Sequence, residues 1–166
     1  MSDGPFDDVL SANVDYVTEF GLRGLPPVAG RGIGIVTCMD SRIEPLEMLG
    51  LAPGDAKILR NAGARVTDDV LRTLILATHL LEVRRVMVIA HTRCRMSSAT
   101  DEEVSEEIHA GSGIDVRSLD FHMVGDQRAT LRRDVQRITS SPFLPPGVVA
   151  AGFLYDVDTG KVSEIP

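Results

Sequence analysis

The chain is 166 residues long, enough for one domain with a substantial core. Its 43% hydrophobic and 25% charged residues are ordinary for a globular protein. A net charge of −7 argues against electrostatic binding of nucleic acid, which needs a basic face to displace counterions.

The acidic start, residues 1–8, lacks the basic-then-apolar pattern of a leader. Residues 6–20 carry Val9, Leu10, Val14 and Val17 at helical spacing and read as an amphipathic arm with no core of its own, within an arm region of 1–28. Leu25-Pro26-Pro27 and Gly30 end it. The stretch from Gly32 to Arg42 follows, an apolar β-branched run that closes on Cys38, Asp40 and Arg42. Its apolar half has no polar face and predicts a strand buried on both sides, as in a parallel sheet. Gly32 and Gly34 precede this strand and form no phosphate loop. If the backbone stays extended past Thr37, the three polar side chains share one side.

Residues 43–49 form a short helical turn, and 56–59 a second short strand ending in Arg60-Asn61-Ala62-Gly63. Thr67 caps a helix over 68–82, with Asp68 and Asp69 complementing its dipole. That helix is apolar on most sides and is expected to be buried, in the core or between subunits, and His79 with it. Arg72, Thr73 and His79 interrupt the apolar run of 70–81, so no membrane span is expected. A third buried strand, 85–90, ends on His91-Thr92-Arg93-Cys94. A helix starts at Thr100 or Asp101 and stops at Gly111-Ser112-Gly113. Residues 116–124 suggest a fourth strand, and 127–138 a helix whose Arg128, Arg132, Arg133 and Arg137 read as a solvated face. Residues 148–157 make a last strand, and Asp158-Thr159-Gly160 turns it into a short hairpin arm ending near Ile165. With no repeat and no linker, this alternation implies one α/β domain over 1–166, a mostly parallel β-sheet flanked by helices with an N-terminal helical arm and a C-terminal hairpin.

Two strands therefore end in similar punctuation, Cys38 in one and His91 with Cys94 in the other. Side by side in a parallel sheet, they would bring two thiols and an imidazole together. Thiolate and imidazole suit zinc, and three protein ligands leave a fourth position open for chemistry. The plainer alternative is a pair of inert buried thiols, since free cysteine is among the most buried residue types. A disulfide is disfavoured in the reducing, cytoplasmic setting inferred for a chain without a leader. Asp40 and Arg42 are either a surface ion pair worth about 1 kcal/mol at most or a clamp in which Arg42 holds Asp40 ionised and aimed at the open position.

Cys38-Met39-Asp40-Ser41-Arg42, Arg60-Asn61-Ala62-Gly63 and His91-Thr92-Arg93-Cys94, in this order and spacing, resemble the motifs of the β-class carbonic anhydrases, in particular the compact actinobacterial members. The resemblance implies a zinc enzyme that converts carbon dioxide and water to bicarbonate and a proton, a lyase. Cys38, His91 and Cys94 match the family's metal ligands, and Asp40 and Arg42 its catalytic dyad. It also implies an obligate homodimer, or a tetramer, whose N-terminal arm embraces the partner. In that family the aspartate can itself ligate zinc when its arginine lets go. Relatives of this fold hydrolyse carbonyl sulfide or carbon disulfide with the same ligands, so these substrates are the alternative. A non-catalytic zinc or redox protein is a further one.

The sequence departs from the family pattern at Arg93 and Arg95, where a small or acidic residue and a glycine are common. These arginines could narrow the cleft, bind an anion such as bicarbonate, or alter which substrate enters. Asn61 and Gly63 read as shapers of the pocket floor. His109 and His122 read as exposed or structural residues, His122 being a proton shuttle only if it lies near the cleft.

Overall fold

The computed structural model describes residues 4–166; residues 1–3 of the expected arm and acidic start lie outside them. The first helix, α1 (Asp7–Thr18), buries none of its residues. Strand β1 (Ile33–Cys38) is buried at every position, as its unbroken apolar run requires. Next come β2 (Ala56–Asn61), α2 (Asp68–Leu80), β3 (Arg85–His91), α3 (Asp101–Ser112), α4 (Gln127–Thr139), β4 (Val149–Tyr155) and β5 (Val162–Ile165). The five strands form one sheet in the order β2-β1-β3-β4-β5. The first three pairings are parallel, and β5 returns antiparallel to β4. The fold is thus the expected α/β arrangement around a mostly parallel sheet.

That order sets the site. The chain passes from β1 to β2 on one side and then crosses back to β3 on the other. β1 and β3 therefore flank a reversal of strand order, where open α/β sheets leave a crevice at the strands' carboxyl ends. Helices α2 and α4 cover one face through Val70, Leu74, Ala77, Leu131 and Ile138, packed on Val36, Val86 and Val88. The opposite face carries Ile33, Ile35 and Ile89 under Met48, Leu49 and Leu51. Two glycines permit close packing on the face that α2 and α4 cover, Gly34 against the segment after α2 and Gly152 against α4. A Cβ at Gly34 would lie 3.1 Å from Val83 Cγ1, and one at Gly152 would lie 2.8 Å from Leu131 Cγ.

Helix ends follow their caps. Thr67 accepts from the Val70 amide at the start of α2. Thr100 and Glu103 form a reciprocal capping box on α3, which closes on left-handed Gly113. Asp126 caps α4 by accepting from Ala129.

Several expectations need correction. Residues 116–124 are not a strand. Their amides are satisfied locally and by one carboxylate: Asp101 accepts from Phe121 and Met123, Asp120 from His122, and Asp115 from Arg117. Amides taken in this way are not available to a ladder. Gly34 lies inside β1 rather than before it. Only Glu47–Leu49 of the turn over 43–49 is helical, as a 3₁₀ turn. Helix α2 ends at Leu80, and Glu82 then takes a left-handed φ of 62°. α2 is also not buried all round: Leu76 is 45% and Leu80 67% exposed in the single chain. His79 is exposed too, its Nε2 3.0 Å from the Phe143 carbonyl, so it is no core residue. No helix among the described residues is long and apolar enough to cross a membrane.

Candidate metal centre and its dyad

Cys38 and His91 are the last residues of the adjacent parallel strands β1 and β3. Thr37 joins the two ends, its hydroxyl donating to the Ile89 carbonyl at 3.1 Å. Cys94 arrives through a tight turn in which Arg93 adopts a left-handed φ of 53°. The two sulfurs lie 4.0 Å apart as free thiols. The donor atoms of Cys38, His91 and Cys94 all fall within 4.8 Å of one another, and all three residues are buried.

The imidazole is prepared on one side and left open on the other. Its Nδ1 is 3.0 Å from the Thr92 carbonyl; a carbonyl only accepts, so Nδ1 carries the proton. Nε2 then presents a lone pair, and it is a buried side-chain atom with no hydrogen-bond partner among the described residues. An orphaned buried nitrogen facing two thiols fits a metal ion, and a set of two sulfurs and one imidazole suits zinc. Gln127 Nε2 donates to the His91 carbonyl at 2.8 Å and fixes the backbone behind the ring.

The dyad sits beside this corner. The chain turns after Cys38 rather than staying extended, and the Arg42 amide and Nε both donate to Asp40 Oδ1, at 3.0 and 2.9 Å. Arg42 Nη2 donates to Oδ2 at 2.7 Å, completing a bidentate clamp. Asp40 Oδ2 is 3.8 Å from the open Nε2 of His91. The hydrogen bonds from Arg42 hold the Asp40 carboxyl well below the usual carboxylate range. Asp40 in turn raises the Arg42 guanidinium, with a smaller push from the charge of Asp158. Between the thiols, the hydrogen bond with Cys94 draws Cys38 down against burial, while Cys94 is pushed up by the same bond and by burial. One proton is shared between the two sulfurs.

Asn61 and Gly63 join the site as the sequence suggests, whereas the bracing roles of Arg60, Gln127 and Asp134 escaped sequence reasoning. Arg60, on β2, braces the turn by donating to the Cys38 carbonyl at 3.1 Å and to the Asp40 carbonyl at 2.6 Å. Gly63 donates its amide to the Cys38 sulfur at 3.4 Å. At φ 78° a Cβ there would also meet Val124 Cγ2 at 2.9 Å, so the pocket floor needs glycine. Asn61 shapes the same floor by bonding both the amide and the carbonyl of Arg65. Arg65 pairs with buried Asp134 of α4 at 2.8 Å and donates to the His122 carbonyl. Arg60 and Gly63 lay in a recognisable motif, but Gln127 and Asp134 gave no local signal. Arg93 and Arg95 turn away from the thiols. Arg93 pairs with Asp158, and Arg95 with Glu107 at 2.5 Å and Ser98 at 2.9 Å. Neither guanidinium is left free for an anion. His109 and His122 are exposed, and His122 pairs with Asp120 at 3.0 Å.

Known proteins resemble this chain in sequence and fold. The family model for carbonic anhydrase matches residues 33–115, which contain all five site residues. Beta-carbonic anhydrase 1 of Mycobacterium tuberculosis is 38% identical over 160 residues, covering 96% of each chain. The chain belongs to the β-class carbonic anhydrases. Its kin are lyases. The crystal structure of carbonic anhydrase from Streptococcus mutans superposes with a TM-score of 0.92 at 39% identity, covering the whole of both chains. The β-class neighbourhood also includes a carbon disulfide hydrolase of Saccharolobus solfataricus, 30% identical over 94% of this chain and 86% of its own.

Proposed function

We propose that the chain is a zinc-dependent carbonic anhydrase that interconverts carbon dioxide and bicarbonate. The observation that carries this reading is the unpartnered Nε2 of His91, facing two thiols and 3.8 Å from a carboxylate that Arg42 holds ionised. Cys38, His91 and Cys94 would hold the ion, and zinc bound there would supply Lewis-acid activation of water. The protein's own part follows from geometry. Asp40 stays a pure acceptor at neutral pH, because Arg42 occupies both its oxygens and disfavours protonation. It can therefore accept a hydrogen bond from water in the corner and orient that water's lone pair toward a small linear electrophile. Arg60 and Gln127 keep the backbone of Cys38, Asp40 and His91 from shifting.

Stopped-flow measurement of carbon dioxide hydration by the zinc-loaded chain tests the reading. Catalysis that disappears on chelation is expected. The uncatalysed rate across pH 7 to 9, with zinc bound, would overturn it.

Similarity to a carbon disulfide hydrolase favours a second reading, hydrolysis of carbon disulfide or carbonyl sulfide on the same residues. Sulfide released from carbonyl sulfide, at an efficiency above that of hydration, would favour it. A purely structural or redox role fits less well, because such a site has no use for an arginine-clamped carboxylate beside an open donor. A homodimeric assembly is supported by the bare apolar side of α1 and of α2, and a cytoplasmic setting by the two thiols that stand 4.0 Å apart unbridged. Residues 1–166 are taken as one domain with an arm over 1–28.

A further inference from the structure

Asp156-Val157-Asp158-Thr159-Gly160 forms the tip between β4 and β5, and its shape is fixed internally. The Asp156 carboxylate accepts from the amides of Asp158 and Thr159, at 2.8 and 3.3 Å, and Gly160 closes the turn at φ 72°. This tip rests on the loop that carries two of the three thiol and imidazole groups. The Thr92 amide donates to the Tyr155 carbonyl at 2.9 Å, and the Val157 amide donates to Thr92 Oγ1 at 3.1 Å. One residue further on, the Arg93 guanidinium pairs with Asp158.

Arg93 is the unusual member. A left-handed φ is unfavourable for an L-residue with a long side chain, so something must hold it there. The carbonyl displayed by that conformation accepts from Arg42 Nη2 at 3.3 Å. Arg42 Nη2 is thus shared between Asp40 Oδ2 and the Arg93 carbonyl, and its orientation depends on where that carbonyl points.

We propose that Asp158 is a positioning residue for the dyad: by anchoring the Arg93 side chain, it fixes the left-handed Arg93 carbonyl that orients Arg42, and through Arg42 the Asp40 carboxylate. The arginine that departs from the family pattern thereby works with the hairpin tip, 65 residues away in sequence, instead of reaching into the cleft. This inference rests on the carbonic anhydrase reading for its kinetic arm, but its spectroscopic arm stands apart from it.

The test compares the zinc-loaded full chain with its Asp158→Asn and Asp158→Glu variants. The first readout is solvent exchange of the Arg42 Nε–H in ¹H–¹⁵N spectra, since that group donates to Asp40 Oδ1 and reports its own alignment. The second is kcat and KM for carbon dioxide. A partly exposed ion pair predicts an effect of roughly two- to fivefold. In Asp158→Asn the Arg42 exchange should accelerate and kcat should fall by that factor, with KM, zinc content and thermal midpoint unchanged. Asp158→Glu should restore both. Wild-type exchange and kcat in Asp158→Asn would overturn the inference, as would losses that track a lower midpoint or lost zinc. A wild-type chain that fails to hydrate carbon dioxide overturns the functional reading alone, and the exchange measurement still decides the role of Asp158.

Discussion

At the scale of single residues, the chemistry depends on which groups keep their protons. Asp40 is held below the ordinary carboxylate range by Arg42, so the ion pair is intact throughout the neutral region and is lost only at acid pH. Asp40→Asn preserves shape while removing the charge and one acceptor oxygen. Hydration should then fall by about 100-fold or more, the low end for a positioned acid or base, with zinc content unchanged. The thiol pair points to a different pH dependence. The hydrogen bond between the two sulfurs keeps a proton on the pair, and a metal ion must displace it. Loss of that proton on binding makes zinc uptake tighten as pH rises, by about tenfold per pH unit where the pair releases one proton. Competition with a chelator between pH 6 and 8 measures this slope; a flat profile would mean that the thiol pair is already fully ionised.

At the scale of elements, close packing of helices on the sheet aims the strand ends. Helix α4 approaches β4 where Gly152 leaves room for Leu131, a contact that a Cβ would bring to 2.8 Å. Gly152→Ala should therefore destabilise the fold by about 1–3 kcal/mol through overpacking, read as a lower denaturant midpoint at unchanged slope. α4 also bears Gln127, which steadies His91, so the variant should lose zinc affinity as well as stability. Such couplings explain what the sequence could and could not reveal. β1 was legible because burial on both faces demands a continuous apolar run, and the crevice was legible because three motifs fall at strand ends or just beyond them. The irregular path of 116–124 was not, because Asp101 satisfies amides 20 and 22 residues away, where no local pattern signals it. The Arg65–Asp134 pair spans 69 residues and is equally silent. His79 was legible only in part: apolar neighbours imply a covered helix, and its exposure here removes the core reading but not cover by a second subunit.

At the scale of the whole molecule, the single chain leaves a broad apolar surface bare. Along α1 and just beyond it, Phe6, Val9, Leu10, Val14, Val17 and Phe20 are all exposed, and none of the helix's residues touches a core. Twelve residues are too few for a stable isolated helix in water, so α1 needs a surface to lie on. The outer side of α2 around Leu76 and Leu80, with Phe143 and Val149, offers unmatched apolar area on the same protein. Large bare patches of this kind mark an association surface, and a closed two-fold pairing lets each arm cover its partner while its own site stays fixed. Sedimentation of the full chain at micromolar concentration should then report about twice the chain mass. Deleting residues 1–28 removes the arm but neither the sheet nor any site residue, so the truncated chain should shift toward monomer while the isolated fold keeps its secondary structure. A full chain that sediments as a monomer, with α1 still helical by hydrogen exchange, would rule out the arm as the dimer clasp. It would leave the stability of α1 to be found in contacts within its own chain.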